Sequence, residues 1–281
     1  YAIEIFDVTV LTRKNRDVYV DGSFKLILAD LGNFDELALA LRGLSFDYVI
    51  HAGSINEGFL GNYDSISYAV NSFGTRNLLN ALDLGVIKHF IYLSTFQVYG
   101  VSTGEISEQT VANPKNDYGL SHFLAEHFLA IDMPKATFSV IRLTNSYGCP
   151  KDTDSSKWYL LLNDLSRSAV LDQKINLAGN GLAVRDFIWM GDVAVTILDL
   201  LRLPAHNEIY NLSRGKTLSI LDVAKAVQVA YERYCGVILP ISTNIDDHTT
   251  GDRSLFVNSD RLLARVSIDF HDYFIDEAIK I

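Results

Sequence analysis

Short β-branched or aromatic runs alternate along this chain with longer segments of helical period, and that alternation restricts the fold more than any other feature. Residues 8–11, 24–28, 48–51, 89–93 and 138–143 read as strands. Between them, 34–41 places Leu37, Ala38 and Leu41 on one helical face. The segment 63–84 carries Val70, Leu78, Leu79 and Leu82 at helical intervals, and 118–131 does the same with Phe123, Leu124, Phe128 and Ile131. Strands joined through helices run parallel, and a parallel sheet is covered on both faces. The expected class is therefore α/β, with a doubly wound parallel sheet.

After Tyr147-Gly148-Cys149-Pro150 the rhythm changes. Helical periods appear near 158–168, 191–201, 218–231 and 273–281, with short strand candidates at 174–177, 208–212 and 237–241. Two units are expected: residues 1–150, and a smaller α/β unit over 151–281 that is partly interwoven with the first.

At 281 residues the chain has enough length for one substantial core or two unequal ones. Hydrophobic residues at 48% against charged residues at 21% exclude a disordered chain. A net charge of −10 argues against a nucleic-acid partner, which needs concentrated Lys and Arg. Cys149 and Cys235 supply neither a disulfide framework nor metal-ligand spacing, and fit a reduced, cytoplasmic compartment. No apolar stretch approaches the ~20 residues of a bilayer span, because Asp199 and Arg202 interrupt the best one.

The chemistry concentrates in two stretches. Ser94-Thr95-Phe96-Gln97-Val98-Tyr99-Gly100 follows the apolar run Phe90-Ile91-Tyr92-Leu93, so Thr95 offers a hydroxyl at a strand end. Tyr118-Gly119-Leu120-Ser121-His122 opens a helix, with the Tyr and His four apart on one face. A phenol ionises at about pH 10, and a fixed cation beside it lowers that value. Taken together the two stretches resemble the active site of the extended short-chain dehydrogenases/reductases, the nucleotide-sugar epimerase/dehydratase family, in which a Lys stands where this chain has His122. The resemblance implies a Rossmann-like dinucleotide-binding unit. It also implies a catalytic set in which Thr95 positions the reacting sugar oxygen, Tyr118 moves its proton and His122 tunes Tyr118. The Lys of relatives also hydrogen-bonds the nicotinamide ribose. Glu126, a further turn along the helix, is expected to raise the basicity of His122.

Other matches follow the family's order. The turn Ala52-Gly53-Ser54 after the 48–51 strand resembles its small-residue approach to the dinucleotide. Asp30-Leu31 matches the pair that contacts adenine, and Asn71 matches the central-helix Asn. Thr12 stands where NAD users place an Asp, and Arg13 and Lys14 follow it, which favours a 2′-phosphate and so NADP over NAD; a solvated basic loop is the plain alternative. Thr95, Phe96, Gln97, Asn145, Arg185 and Asp252 match substrate-facing positions. Hexose 4,6-dehydratases carry Asp-Glu where this chain has Phe96-Gln97, and neither Phe nor Gln can serve as acid or base, so epimerase or ketoreductase chemistry is expected instead. Such relatives dimerise through two long helices, here 63–84 and 118–131. A strand and a Gly-rich phosphate turn are expected ahead of Val8; no Gly precedes Gly22, so a natural N-terminal segment is expected to be missing. The competing readings are a non-catalytic relative used for binding or assembly, and a reductase of small non-sugar carbonyls.

Overall fold

The computed structural model describes residues 2–15, 23–56, 64–133, 138–152, 156–204, 206–244 and 254–281. Thirteen strands are labelled in chain order among them. The first four are β1 (Thr9–Thr12), β2 (Lys25–Leu28), β3 (Tyr48–His51) and β4 (His89–Thr95); β5 is Gly104–Ile106, β6 Phe138–Leu143 and β7 Asn145–Tyr147. Later come β8 (Ile175–Asn176), β9 (Val184–Trp189), β10 (Glu208–Leu212), β11 (Thr217–Ser219), β12 (Ile241–Ser242) and β13 (Leu255–Val257). The helices used below are α1 (Phe34–Leu41), α2 (Asp64–Ser67), α3 (Thr75–Ala81), α4 (Asp117–Asp132), α5 (Leu161–Asp172), α6 (Met190–Leu201) and α7 (Ile220–Cys235).

A parallel sheet of order β10-β6-β4-β3 forms the centre, and β1 and β2 make a separate parallel pair. The strand at 208–212 was expected in the second unit. It lies along β6 as the outer strand of the central sheet. A cavity of about 170 Å³ lies between the two parallel sheets, lined by Thr9 and Leu11 on one side and by Tyr48 to His51 on the other.

Strand alternation explains why β4 can be central. Phe90 and Tyr92 face α1, α3 and α4, where they pack with Leu37, Leu79 and Leu129. Ile91 faces the opposite layer with Val193 and Ile197 of α6 and Tyr210 of β10. Both faces are buried, as a parallel sheet requires. A third core, built from α5, β9 and α7 around Leu165, Phe187 and Val223, supports the C-terminal unit.

The long helix expected at 63–84 is not continuous. Between α2 and α3 the backbone runs as a π-helix, Tyr68–Gly74, and Asn71 and Ser72 are fully buried within it. Such widened turns expose backbone and side-chain groups that a regular helix would hide, and they gather at functional sites.

Two glycines join the strand end to the helix that bears Tyr118. Gly100 adopts φ +65°, and a Cβ there would overlap the Asn113 carbonyl. At Gly119 a Cβ would lie 2.8 Å from the Gln97 carbonyl oxygen. Neither approach tolerates a side chain.

Candidate active site

Thr95 ends β4 and is buried; its Oγ1 accepts from the Gln97 amide at 3.3 Å and so caps the following 3₁₀ turn, Phe96–Tyr99. Asn116 caps α4 by accepting from Gly119 at 2.7 Å, and its amide donates to Gln97 Oε1 at 2.9 Å. Gln97 thus braces the first helical turn rather than offering a free acid or base. Phe96 also differs from its substrate-side expectation. It is buried in an apolar cluster with Val98, Ile106, Leu255 and Val257.

Tyr118 sits in the first turn of α4. Burial pushes its phenol up to about 12; the charge of Tyr159 adds to this and a hydrogen bond with Ser54 opposes it. Ser54 and Tyr118, read separately from sequence, therefore meet. His122 is buried with its ring edge-on to Tyr118, centroids 4.6 Å apart, and burial followed by the nearby His51 brings its pKa down to about 3. The imidazole is neutral, so the expected cation beside the phenol is replaced by a neutral ring. Glu126 does not restore the charge. Its carboxylate accepts two bonds from Arg142, at 3.0 and 2.6 Å, and one from Ser94 at 2.6 Å, all in the interior.

Asn71 holds the loop after β3 by donating to the Ile55 carbonyl at 2.9 Å and accepting from its amide at 2.8 Å, and it reaches Ser121 at 3.1 Å. Both of its donors are used within the protein, so it shapes the Ala52-Gly53-Ser54 turn. Leu31 packs where a Cβ on Gly53 or Gly74 would come within 3.0 Å. Arg13 and Asp30 line one pocket of about 360 Å³ with Gly32, Asn33, Glu36 and Val70. Thr12 bonds its hydroxyl to the Lys14 carbonyl, closing the turn that presents Arg13.

On the other side, Asn145 donates to the Asp186 carbonyl at 3.0 Å and Arg185 to the Val184 carbonyl at 2.8 Å. Asp186 is not a surface partner for Arg185. It is buried and accepts from Thr144 and from the backbone of Arg214 and Lys216, fixing the loop before β11. Asp252 lies outside the described residues. Sequence reading missed Tyr92, His51, Tyr159 and the Arg142–Glu126 pair. The available signal was a hydroxyl at Tyr92 and another at Ser94 inside a strand buried on both faces, where each requires a partner.

A dinucleotide fits these residues on two observations. His122 Nε2 is buried without a partner among the described residues, and a mixed-charge pocket carries Arg13 and Asp30. Residues 4–213 match the sequence profile of the NAD dependent epimerase/dehydratase family. The chain belongs to this family.

Among relatives, the dTDP-D-glucose 4,6-dehydratase of Bos taurus is 28% identical over 209 residues, 72% of this chain and 57% of its own length. The chain thus spans less than two thirds of that curated relative. The UDP-glucose 4-epimerase of Thermotoga maritima, solved with UDP-glucose, superimposes with a TM-score of 0.81 at 16% identity, covering 98% of this chain and 89% of its own. RMD from Pseudomonas aeruginosa, solved with NADPH, gives 0.74 at 21% identity and covers 94% and 90%. At these identities the likeness is one of fold, and it bears out the Rossmann-like α/β class.

Proposed function

We propose that the protein transfers a hydride between NAD or NADP and one carbon of a nucleotide-activated sugar, as an epimerase or ketoreductase. The observation that carries this reading is the Tyr118 ring set edge-on to the buried His122 imidazole, centroids 4.6 Å apart, where burial pushes the phenol up and the imidazole down. A protonated phenol is an acid. It supplies the proton that a carbonyl oxygen needs as its carbon is reduced, and Thr95 is the hydroxyl assigned to orient that oxygen. The nicotinamide, when bound, supplies or takes the hydride. Arg13 suits a 2′-phosphate, whereas Asp30 and Glu36 in the same pocket suit free ribose hydroxyls. Asn145 and Arg185 are assigned to the substrate side, and Asp252 with them. Phe96 in an apolar core and Gln97 on a helix cap support reductase or epimerase chemistry over dehydration.

The test follows nicotinamide absorbance with full-length protein and nucleoside-diphosphate sugars or keto sugars. The direction of the pH dependence follows from the phenol. Below its pKa the phenolate fraction rises about tenfold per pH unit, so oxidation of an alcohol, which needs the base, is expected to climb from about pH 6 to about pH 9. Reduction, which needs the acid, is expected to stay flat over that window. A flat oxidation profile would remove Tyr118 from the proton path. Failure of any nucleotide sugar to react, with turnover of small carbonyls, would favour the non-sugar reductase.

A homodimer through the helical layer, in a cytoplasmic setting, belongs to the same proposal. Phe73 on the π-helical turn is 54% exposed and Ile131 on α4 is 62% exposed. Arg76 pairs with Asp132 and lies over Phe128, which ties the two helices into one face. Phe73→Glu is expected to convert a dimer to monomer in light scattering; an unchanged mass would show that this face is not the contact. No helix among the described residues is long and apolar enough to cross a membrane.

A further inference from the structure

His122 is buried among groups whose hydrogen bonds constrain one another. Thr75 gives its proton to the Asn71 carbonyl at 2.6 Å, so its 2.8 Å contact with His51 Nε2 has the imidazole as donor. Tyr92, three residues before Thr95 on β4, lies tilted against His51 with centroids 5.4 Å apart, and its hydroxyl meets His122 Nδ1 at 2.7 Å with the Thr75 hydroxyl as its second neighbour. On the other side of the same ring, Nε2 is buried and has no partner among the described residues. The groups that face this imidazole are Tyr92 from β4, His51 from β3 and Tyr118 from its own helix. Glu126, the carboxylate one turn on, is held by Arg142 from β6 and Ser94 from β4.

We propose that Tyr92 is a positioning residue for His122: its hydroxyl donates to Nδ1, which keeps the ring proton on Nε2 and makes the imidazole a neutral donor beside Tyr118. The assignment rests on the dinucleotide reading above. A buried donor with no partner among the described residues marks a place for an acceptor on a bound molecule, because leaving it unmade is costly. The fixed tautomer supplies a hydrogen bond where relatives place an ammonium, and supplies it without the charge. Tyr92 acts through His122 and need not touch the cofactor.

Nitrogen-15 NMR of full-length protein labelled at histidine decides the point, with His122→Gln identifying the signals. Wild type is expected to show His122 neutral from about pH 5 to about pH 8, protonated at Nε2 and accepting at Nδ1. In Tyr92→Phe the two tautomers are expected to exchange, and NAD(P) affinity to weaken about fivefold. A wild-type proton on Nδ1, or His122 signals unmoved in Tyr92→Phe, overturns the proposal. The wild-type spectrum needs no variant, so a Tyr92→Phe protein that fails to fold leaves the decision there. If wild type binds no NAD or NADP, the functional reading fails, while the tautomer still decides what Tyr92 does.

Discussion

Tyr118→Phe is expected to lower turnover by roughly 10²–10⁴-fold and to leave the protein folded. The substitution removes one oxygen from a half-buried ring and keeps the edge-on contact with His122. The phenol makes no contribution to the α4 cap, which belongs to Asn116, so the helix start is not disturbed. Initial rates in both directions give the effect, and a circular-dichroism melt checks the fold. NAD(P) affinity should change by no more than a few-fold, because the loss falls on the proton step. Retention of turnover within about threefold would mean that another group moves the proton, since a positioned acid contributes about a hundredfold or more.

Arg142→Met is expected to be the most damaging single change to stability. The guanidinium and the Glu126 carboxylate are both about 5% exposed, joined by two hydrogen bonds, and the guanidinium also lies 4.7 Å over the Tyr99 ring. Without Arg142 the carboxylate stays in the interior with only Ser94, and a broken buried pair costs about 3–5 kcal/mol. For a protein of this size that lowers the thermal midpoint by roughly 6–15 °C. Glu126→Leu combined with Arg142→Met is expected to recover much of the loss, because neither charge is then stranded. A single variant that melts within about 2 °C of wild type would show that the carboxylate finds water or another partner, since such a shift is worth only about 1 kcal/mol.

The parts of this protein that could be read from its sequence are those set by local pattern. The helix Phe34–Leu41 and the strands Tyr48–His51 and Phe138–Leu143 fall at their expected bounds, since each shows a full period between turn residues. The strand Glu208–Leu212 was found but its pairing was not, because its partner Ser139–Leu143 lies about seventy residues earlier. The short strands β5, β7 and β13 were not read at all; three residues give no usable periodicity. In the candidate site, the sequence pattern marked Ser54, Tyr118 and His122 separately, and their contacts follow from the fold. Tyr92 looked like one more aromatic in an apolar strand. Its role depends on a ring thirty residues later, and its burial, like that of Glu126 against Arg142, decides which groups carry charge.

Gly119 packs so closely on the Gln97 carbonyl that an added Cβ would lie 2.8 Å from its oxygen, which leaves no slack between the turn after β4 and the start of α4. The Asn116 side chain bonds both segments and fixes them against each other. The loop before β11, by contrast, hangs on the buried Asp186 carboxylate and not on this contact.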